Sequence, residues 1–477
     1  MRCGVRKADL LASLVVFLVA LPLCVGVAMA SGVPAELGLV TGIVGGLIAG
    51  ALPGSSLQVS GPAAGLTVLV YEAMQRYGVA ALGVLVLGAG LVQLALGGLR
   101  LGRWFRAVSV SVVHGMLAGI GLVLVAGQVY ALGDATTPGG GLEKLTALVS
   151  LPWLLDPTAL SVGGATIAVL LLWPRWKRGA RLVPAPLVAV GLAAAVTGVF
   201  GLDVRRVEVR GLLDAVRLPE TSDLGRLTEV GVLGTVIAFA LIASAESLFS
   251  AAAVDRLHDG RRTDYDRELI AQGAGNVVCG VLGALPMTAV IVRSAANVRA
   301  GAETKASRVL HGVWLLLFTV VVPGVLGVIP VAALAALLVH AGCKLVPVRE
   351  VRVLWRGHRG EVVVLGVTAV AIVVGNLFEG VLVGLALAVA KTAWDASHVH
   401  LETEDRGEAG IVVRVLGHAT FLRLPKLLDE LEALPRDREV RLELGGLRHL
   451  DHACAAALEG WAAGRGKALL ASGGAPA

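Results

Sequence analysis

From Leu10 to Ala393 the chain repeats one pattern, a long apolar run followed by a short loop into which the charges are gathered. Such a run has no water-facing side, so it cannot be the half-buried helix or strand of a soluble domain. In hydrocarbon the backbone must satisfy its own hydrogen bonds, which leaves the helix as the spanning element for runs of this length. Only 16% of the 477 residues are charged, 56% are hydrophobic and the mean hydropathy is +0.80. A soluble chain would be about a quarter charged. The deficit excludes a cytosolic enzyme, a nucleic-acid binder and a disordered chain. The expected fold is an all-α polytopic membrane protein.

Arg2, Arg6 and Lys7 stand ahead of an apolar run that ends in Ala28-Met29-Ala30, the outline of a cleaved leader. The run from Leu10 to Ala30 approaches the ~20 residues a bilayer needs, and another apolar segment follows at once, so it is expected to remain as the first helix. Further segments recur at Leu37 to Leu52, Ala63 to Tyr71, Val79 to Leu96, Ala107 to Tyr130, Leu160 to Trp173, Leu187 to Phe200 and Val230 to Val254. The series continues at Leu269 to Leu285, Thr288 to Val298, Val309 to Val328, Val331 to Cys343, Val362 to Val374 and Val381 to Ala393. That predicts about fourteen spans. The segments after Gly61-Pro62 and after Pro286 are too short to cross ~30 Å of hydrocarbon and are expected to be half-helices.

The formal net charge of +6 reports topology. Alternate loops carry Arg100, Arg103 and Arg106; Arg175, Lys177, Arg178 and Arg181; Arg256, Arg261, Arg262 and Arg267; Arg299, Lys305 and Arg308; and Lys344, Arg349, Arg352, Arg356 and Arg359. With the N-terminus cytoplasmic, every one of these loops lies inside, as expected for a multi-pass protein of the cell (inner) membrane with both termini in the cytoplasm. The longer loop from Leu202 to Glu229 mixes Arg205, Arg206 and Arg210 with acids, which its length allows.

The five cysteines, Cys3, Cys24, Cys279, Cys343 and Cys454, are scattered without a CxxC or Cys/His pair, and His114 has no second ligand spaced to help it. No metal site, disulfide framework or cofactor is expected. Gly42, Gly45, Gly46 and Gly50 read as packing residues of the second span.

Beyond Trp394 the charges become dense. Ile411 to Leu416 and Val440 to Leu444 read as strands, and Pro425 as the start of a helix whose apolar face is Leu427, Leu428, Leu431 and Leu434. The expected domains are a membrane domain over 1–396 and a small cytoplasmic α/β domain over 397–477.

The two interrupted segments fall at corresponding positions of the two halves, Pro53 to Gly65 and Gly280 to Asn297. Paired interruptions of this kind point to a binding site between inverted repeats. A helix that begins in mid-membrane aims free N–H groups and its positive dipole end into the cavity, so two such ends facing each other attract an anion. Ser60 and Thr288 place hydroxyls at the half-helix starts, as N-caps, as anion donors or as both. Glu246 stands inside the apolar run Val230 to Val254, where an unpaired charge costs about 2.5–3.5 kcal/mol or more, so it is expected to face the protein interior or a wet cavity.

Three stretches carry a resemblance to the SulP family of anion permeases: Ala28-Met29-Ala30-Ser31-Gly32-Val33-Pro34, the Gly54-Ser55-Ser56…Ser60-Gly61-Pro62 segment, and Glu246 through Asn297. The last includes Glu246-Ser247-Leu248, Glu268-Leu269-Ile270-Ala271-Gln272-Gly273-Ala274-Gly275-Asn276 and Arg293-Ser294. The tail resembles a STAS domain. The resemblance implies seven plus seven inverted spans forming core and gate domains, substrate between the third and tenth helices, and a homodimer in the lipid bilayer.

It further implies a secondary transporter of sulfate or bicarbonate working by alternating access, with dicarboxylates as the next substrate class. The anion would lie between the half-helices, with Ser60, Gly61, Pro62 and Thr288, Ala289 around it. Val290, Ile291 and Val292 would offer backbone groups, Arg293 would complete the field, and Val27 and Ala63 would shape the pocket. Some sodium-coupled members have Asp with Thr one turn on, where this chain has Glu246 and Ser250, the expected coupling site for H+ or Na+. Asn276 is placed to brace the tenth helix.

The chain departs from the family at Leu23, where many members have Gln after the first-helix proline. His452-Ala453 stand where a phosphorylatable Ser or Thr often lies, and the last helix of the tail is expected to be missing. Other readings are a non-transporting anion sensor that signals through the tail, a nucleobase permease, which lacks the Arg293-Ser294 match, and a membrane enzyme. The enzyme would need an acid, base or metal cluster, where the sequence has only Glu246 and Arg293 in isolation.

Overall fold

A computed structural model describes residues 6–62, 64–103, 109–138, 141–176, 179, 183–208, 211–220, 225, 228–407, 410–465 and 468–471. Two compact units divide the chain, Met1–Gly384 and Leu385–Ala477. The first half of the larger unit contains α1 (Lys7–Ala30), α2 (Ala35–Val44), α3 (Thr67–Tyr77), α4 (Ala81–Gly98), α5 (Val110–Leu132), α6 (Pro157–Leu172) and α7 (Ala185–Val199). The second half contains α8 (Val230–Val254), α9 (Tyr265–Val281), α10 (Ile291–Arg299), α11 (Ala306–Val321), α12 (Val331–Leu345), α13 (Val348–Gly357), α14 (Arg359–Val374) and the first part of α15 (Leu377–Ala396), which continues past Gly384 into the smaller unit. All but α13 fall where the sequence predicts a span. Seven helical stretches among the described residues are long and apolar enough to cross a membrane on length and composition.

α3 and α10 have eleven and nine residues. At 1.5 Å per residue, eleven residues rise about 16 Å, half of a ~30 Å core. Both begin where the sequence forbids a continuous helix. Gly61-Pro62 and Pro286 instead give two short extended segments, β1 (Ser60–Pro62) and β2 (Met287–Ala289).

Small residues allow the helices to approach closely. A Cβ on Gly90 would meet Val277 N at 2.5 Å and one on Gly273 would meet Leu94 N at 2.8 Å, so α4 and α9 cross nearly backbone to backbone. α2 ends in a π turn, Gly45–Ala49, and a Cβ on Gly45 would lie 2.6 Å from Ser60 O. The second-span glycines do pack, and one of them admits β1.

Arg308, read from the sequence as a loop charge, instead lies buried in the first turn of α11. It is 2% exposed and donates to the carbonyls of Gly50 at 2.7 Å, Leu52 at 2.7 Å, Ala49 at 3.3 Å and Gln58 at 3.4 Å. These are carbonyls that the end of the second helix and the following turn leave without helical partners, and a five-donor guanidinium suits them. Just ahead of the same end of α11, Asp9 of α1 accepts from the Glu303 and Thr304 amides, each at 2.9 Å, and from the Thr304 hydroxyl at 2.6 Å.

The smaller unit holds a four-stranded sheet, β3 (Val399–Asp405), β4 (Ile411–Ala419), β5 (Val440–Leu450) and β6 (Ala468–Ala471), in that spatial order. β3 runs antiparallel to β4, while β4, β5 and β6 are parallel. α16 (Leu424–Glu432) and α17 (His452–Arg465) supply the crossovers. Leu427, Leu431 and Leu458 from the helices close with Val413, Val415, Val440 and Leu442 into one core, so the apolar face predicted after Pro425 is the buried one.

Candidate functional site

β1 and β2 run antiparallel, with Ser60 opposite Ala289, Gly61 opposite Thr288 and Pro62 opposite Met287. The ladder gains one more bond where the Val290 amide donates to Val59 O at 2.9 Å. The two interrupted segments therefore meet through their backbones, and each then leads into a half-helix.

Side chains from three helices hold this crossing. On α9, Asn276 Oδ1 accepts the Met287 amide at 2.8 Å, and its Nδ2 donates to Met287 O at 3.0 Å and to Gln93 Oε1 at 2.7 Å. One turn earlier Gln272 donates to Ser60 Oγ at 2.8 Å and to Glu268 Oε1 at 2.7 Å, while Glu268 Oε2 accepts the Ser55 amide at 2.7 Å. From α8, the Ser247 hydroxyl accepts the Ala289 amide at 3.2 Å and its carbonyl accepts from Gln58 at 2.8 Å. From α10, Ser294 accepts the Val59 amide at 2.9 Å and Asn297 donates to Leu57 O at 3.0 Å. Asn276 is the brace the sequence suggested. Ser247, Gln272 and Ser294 lie inside the quoted motifs, but only their contacts reveal what they hold.

Neither predicted hydroxyl is a helix cap. Ser60 lies seven residues before α3 and receives the Gln272 amide; Thr288 lies on β2, and α10 opens at Ile291 after Val290 with no side-chain cap. Thr288 Oγ1 is buried beside the Glu246 carboxylate. The Val290 amide is committed to Val59, so the amides left open by the helix are those of Ile291, Val292 and Arg293. The side chains of Ile291 and Val292 are 41% and 46% exposed, at the open side of the crossing. Val27 is buried at 2% exposure on α1, and Ala63 lies outside the described residues.

Arg293 is 0% exposed, yet among the described residues no carboxylate forms an ion pair with it. Nη2 makes one long 3.5 Å contact with Pro62 O, and among the described residues Nε and Nη1 have no hydrogen-bond partner. Its neighbours are the backbone of Gly61, the Cys24 thiol and, further off, His311. A buried guanidinium with two idle donors is rare, because each idle donor forfeits its hydration. It is the arrangement expected of a site that receives an anion.

Glu246 is one residue before Ser247 on the same helix, α8. Its carboxylate lies against Gly65, where a Cβ would come 2.7 Å from Oε1, and beside the Thr288 hydroxyl. Oε2 is buried without a partner, and Glu246 forms no ion pair with Arg293. Ser250, 8% exposed, follows one helical turn later. Arg293 and Glu246 are thus held apart at the crossing, while Glu268 is tied to the Ser55 amide and to Gln272. A cavity of about 470 Å³ lined by Met29, Tyr71, Lys144 and Arg206 opens near the end of α1, and none of the predicted site residues lines it.

The model of the Sulfate permease family matches residues 7–368. The bicarbonate transporter BicA of Picosynechococcus sp. is 26% identical over 424 residues, 83% of this chain and 72% of that one. A Mycobacterium tuberculosis protein named as a probable sulfate transporter is 29% identical over 416 residues, 83% of this chain and 71% of that one. Among solved structures, the transmembrane domain of a cyanobacterial BicA aligns with a TM-score of 0.67 at 24% identity, over 80% of this chain and 97% of that one. The murine Slc26a9 anion transporter in its inward-facing state aligns with a TM-score of 0.81 at 16% identity, over 98% and 85%. At these identities the structural likenesses establish the fold.

Proposed function

We propose, because this chain belongs to the sulfate permease family, that it carries a small inorganic anion, sulfate or bicarbonate, across the cell membrane by alternating access. The chain is a multi-pass membrane transporter and not an enzyme. The observation that carries the anion reading is Arg293, fully buried, with Nε and Nη1 idle at the crossing of β1 and β2. The anion would lie against the α10 amides and the guanidinium, with the Thr288 hydroxyl as a further donor and the small residues Gly61 and Ala289 allowing backbone approach. Apolar walls around backbone donors exclude water without competing for hydrogen bonds.

Glu246 with Ser250 is the proposed coupling site for H+ or Na+, separate from the anion because a carboxylate in direct contact would repel it. The sheet-containing unit is proposed as a STAS-like cytoplasmic domain over 397–477 that supports a homodimer, with 1–396 as the transporter. Uptake of labelled sulfate into proteoliposomes, competed by bicarbonate and by succinate, tests the reading. Saturable uptake suppressed by either inorganic anion supports it; binding without flux would make the chain a sensor, and suppression by succinate alone would make the substrate a dicarboxylate.

A further inference from the structure

We propose that α13, with the groove beside it, seats an anionic phospholipid of the adjoining leaflet. α13 follows α12 after Val346-Pro347 and is joined through His358 to α14. α12 and α14 fall where the sequence predicts spans, and Pro347 separates α13 from α12, so the ten-residue helix between them is assigned to the membrane surface. None of its residues is buried. Val348, Val353 and Trp355 are 61%, 65% and 59% exposed, more apolar surface than a short helix in water would show.

The helix has two different sides. Arg349, Arg352 and Arg356 follow one another at helical spacing, and so do Val348, Val351 and Trp355. Apolar residues on one side and arginines on the next are the composition of a helix in the headgroup layer.

Between α13 and the start of α5 lies a groove of about 590 Å³, with Val110, Val353 and Leu354 for an acyl chain and His114, Arg349 and His358 for a headgroup. Val110 is 65% exposed there, and His114 Nδ1 is shielded from solvent without a hydrogen-bond partner. Glu350 and Glu361 line the groove too, so the attraction comes from the stretch as a whole, where Arg349, Arg352, Arg356 and Arg359 outnumber two glutamates. A diffusing inorganic anion would gain nothing from the apolar floor, and a neutral lipid nothing from the arginines. The inference needs only that the chain spans a membrane, so it stands apart from the transport reading.

The test is thermal unfolding of the purified full chain in neutral detergent, titrated with dioleoyl phosphatidylglycerol, dioleoyl phosphatidylcholine or glycerol 3-phosphate. Phosphatidylglycerol is expected to raise the melting temperature saturably, and the other two to do so little. Arg349→Gln should raise the midpoint concentration about five-fold, the weight of one arginine near an anionic surface. The triple change Arg349→Gln, Arg352→Gln, Arg356→Gln should abolish the shift, and should it fail to fold, Arg349→Gln and Val353→Ser, both at exposed positions, decide alone. An unchanged midpoint in Arg349→Gln, an equal shift with phosphatidylcholine, or an equal shift with glycerol 3-phosphate each overturns the proposal, the last by assigning the groove to a soluble anion.

Discussion

The Nη1 nitrogen of Arg293 occupies the space in which a Cβ on Gly61 would lie. The two residues belong to opposite halves of the chain, and the absent side chain of one makes room for the charge of the other. Gly61→Ala should therefore displace the guanidinium, because neither β1 nor its partner β2 can retreat from the ladder. Overpacking of this kind costs about 1–3 kcal/mol. The expected outcome is a folded protein with a lower melting temperature and weaker anion binding, read by calorimetric unfolding and equilibrium binding of labelled sulfate.

Removing the guanidinium itself tests the charge. A hydrogen bond to a charged group is worth about 1.5–3 kcal/mol, so Arg293→Ala should weaken anion binding by roughly ten- to a hundredfold. Arg293→Lys retains the charge without the planar fork and should recover part of that loss. Because Arg293 and Glu246 form no ion pair, Glu246→Gln should not rescue Arg293→Ala. Near-normal affinity in both Arg293 variants would leave the α10 amides as the sole anion determinant.

The Asn276 brace predicts a different signature. Asn276→Ala removes both partners of Met287 and leaves a buried amide and carbonyl unsatisfied, at about 1–3 kcal/mol each. Stability should fall and binding should fall with it, in contrast to Arg293→Ala, where binding falls first. Asn276→Asp retains the acceptor for the Met287 amide but loses the donor to Gln93, and should lie no closer to wild type. Denaturation in parallel with binding separates the two patterns.

Much of this was written in the sequence, and the rest was hidden for a physical reason. Interrupted helices announce themselves, because Gly61-Pro62 and Pro286 cannot continue one, and Glu246 stands out as a charge in an apolar run. Two of the four strands of the smaller unit, β4 and β5, show in their apolar residues, and β3 and β6 do not. The β1–β2 ladder does not show, since three residues are too few for an alternating pattern and the partners lie in different halves of the chain. Arg308 misled for a similar reason: beside other basic residues it reads as a loop charge, and only a fold that brings Gln58, 250 residues away, within reach makes it a buried cap. Gln272 is an ordinary helical glutamine until Ser60, 212 residues away, arrives beside it.

In the smaller unit, Arg438 donates to both oxygens of Asp405 at 2.7 Å, and these bonds, with one from the Gly407 amide, hold the carboxyl down to about 2. A depressed carboxyl stabilises the folded state above its unfolded value, near 3.9, and the contribution is lost as pH falls toward the folded value. The pair is solvent-exposed, so its contribution to stability should be small, and the change with pH should be confined to that acid window. Carboxyl NMR of the full chain should show Asp405 titrating well below the other exposed aspartates, and Arg438→Gln should bring it back among them. No movement in the variant would mean that the pair does not persist in solution.

Glu246 is where coupling is most directly exposed to test. Its carboxylate rests on Gly65 at the approach to α3 and faces the Thr288 hydroxyl at the approach to α10, so it touches both interrupted segments. A proton or Na+ at that point would neutralise it and change the attraction between the two halves of the crossing. Glu246→Gln keeps the size and an acceptor oxygen but cannot titrate, which fixes the site near its neutral state. Anion binding should survive, because Arg293 and the α10 amides are untouched. Flux driven by a cation gradient should fall, and the rate should lose its dependence on pH, or on Na+ if that is the coupling ion. Glu246→Asp keeps a titratable group one methylene shorter and should preserve the dependence at a reduced rate. Uptake by proteoliposomes across a pH series, with and without Na+, distinguishes these outcomes. If both dependences remain in Glu246→Gln, the carboxylate only packs the crossing and the coupling ion binds elsewhere.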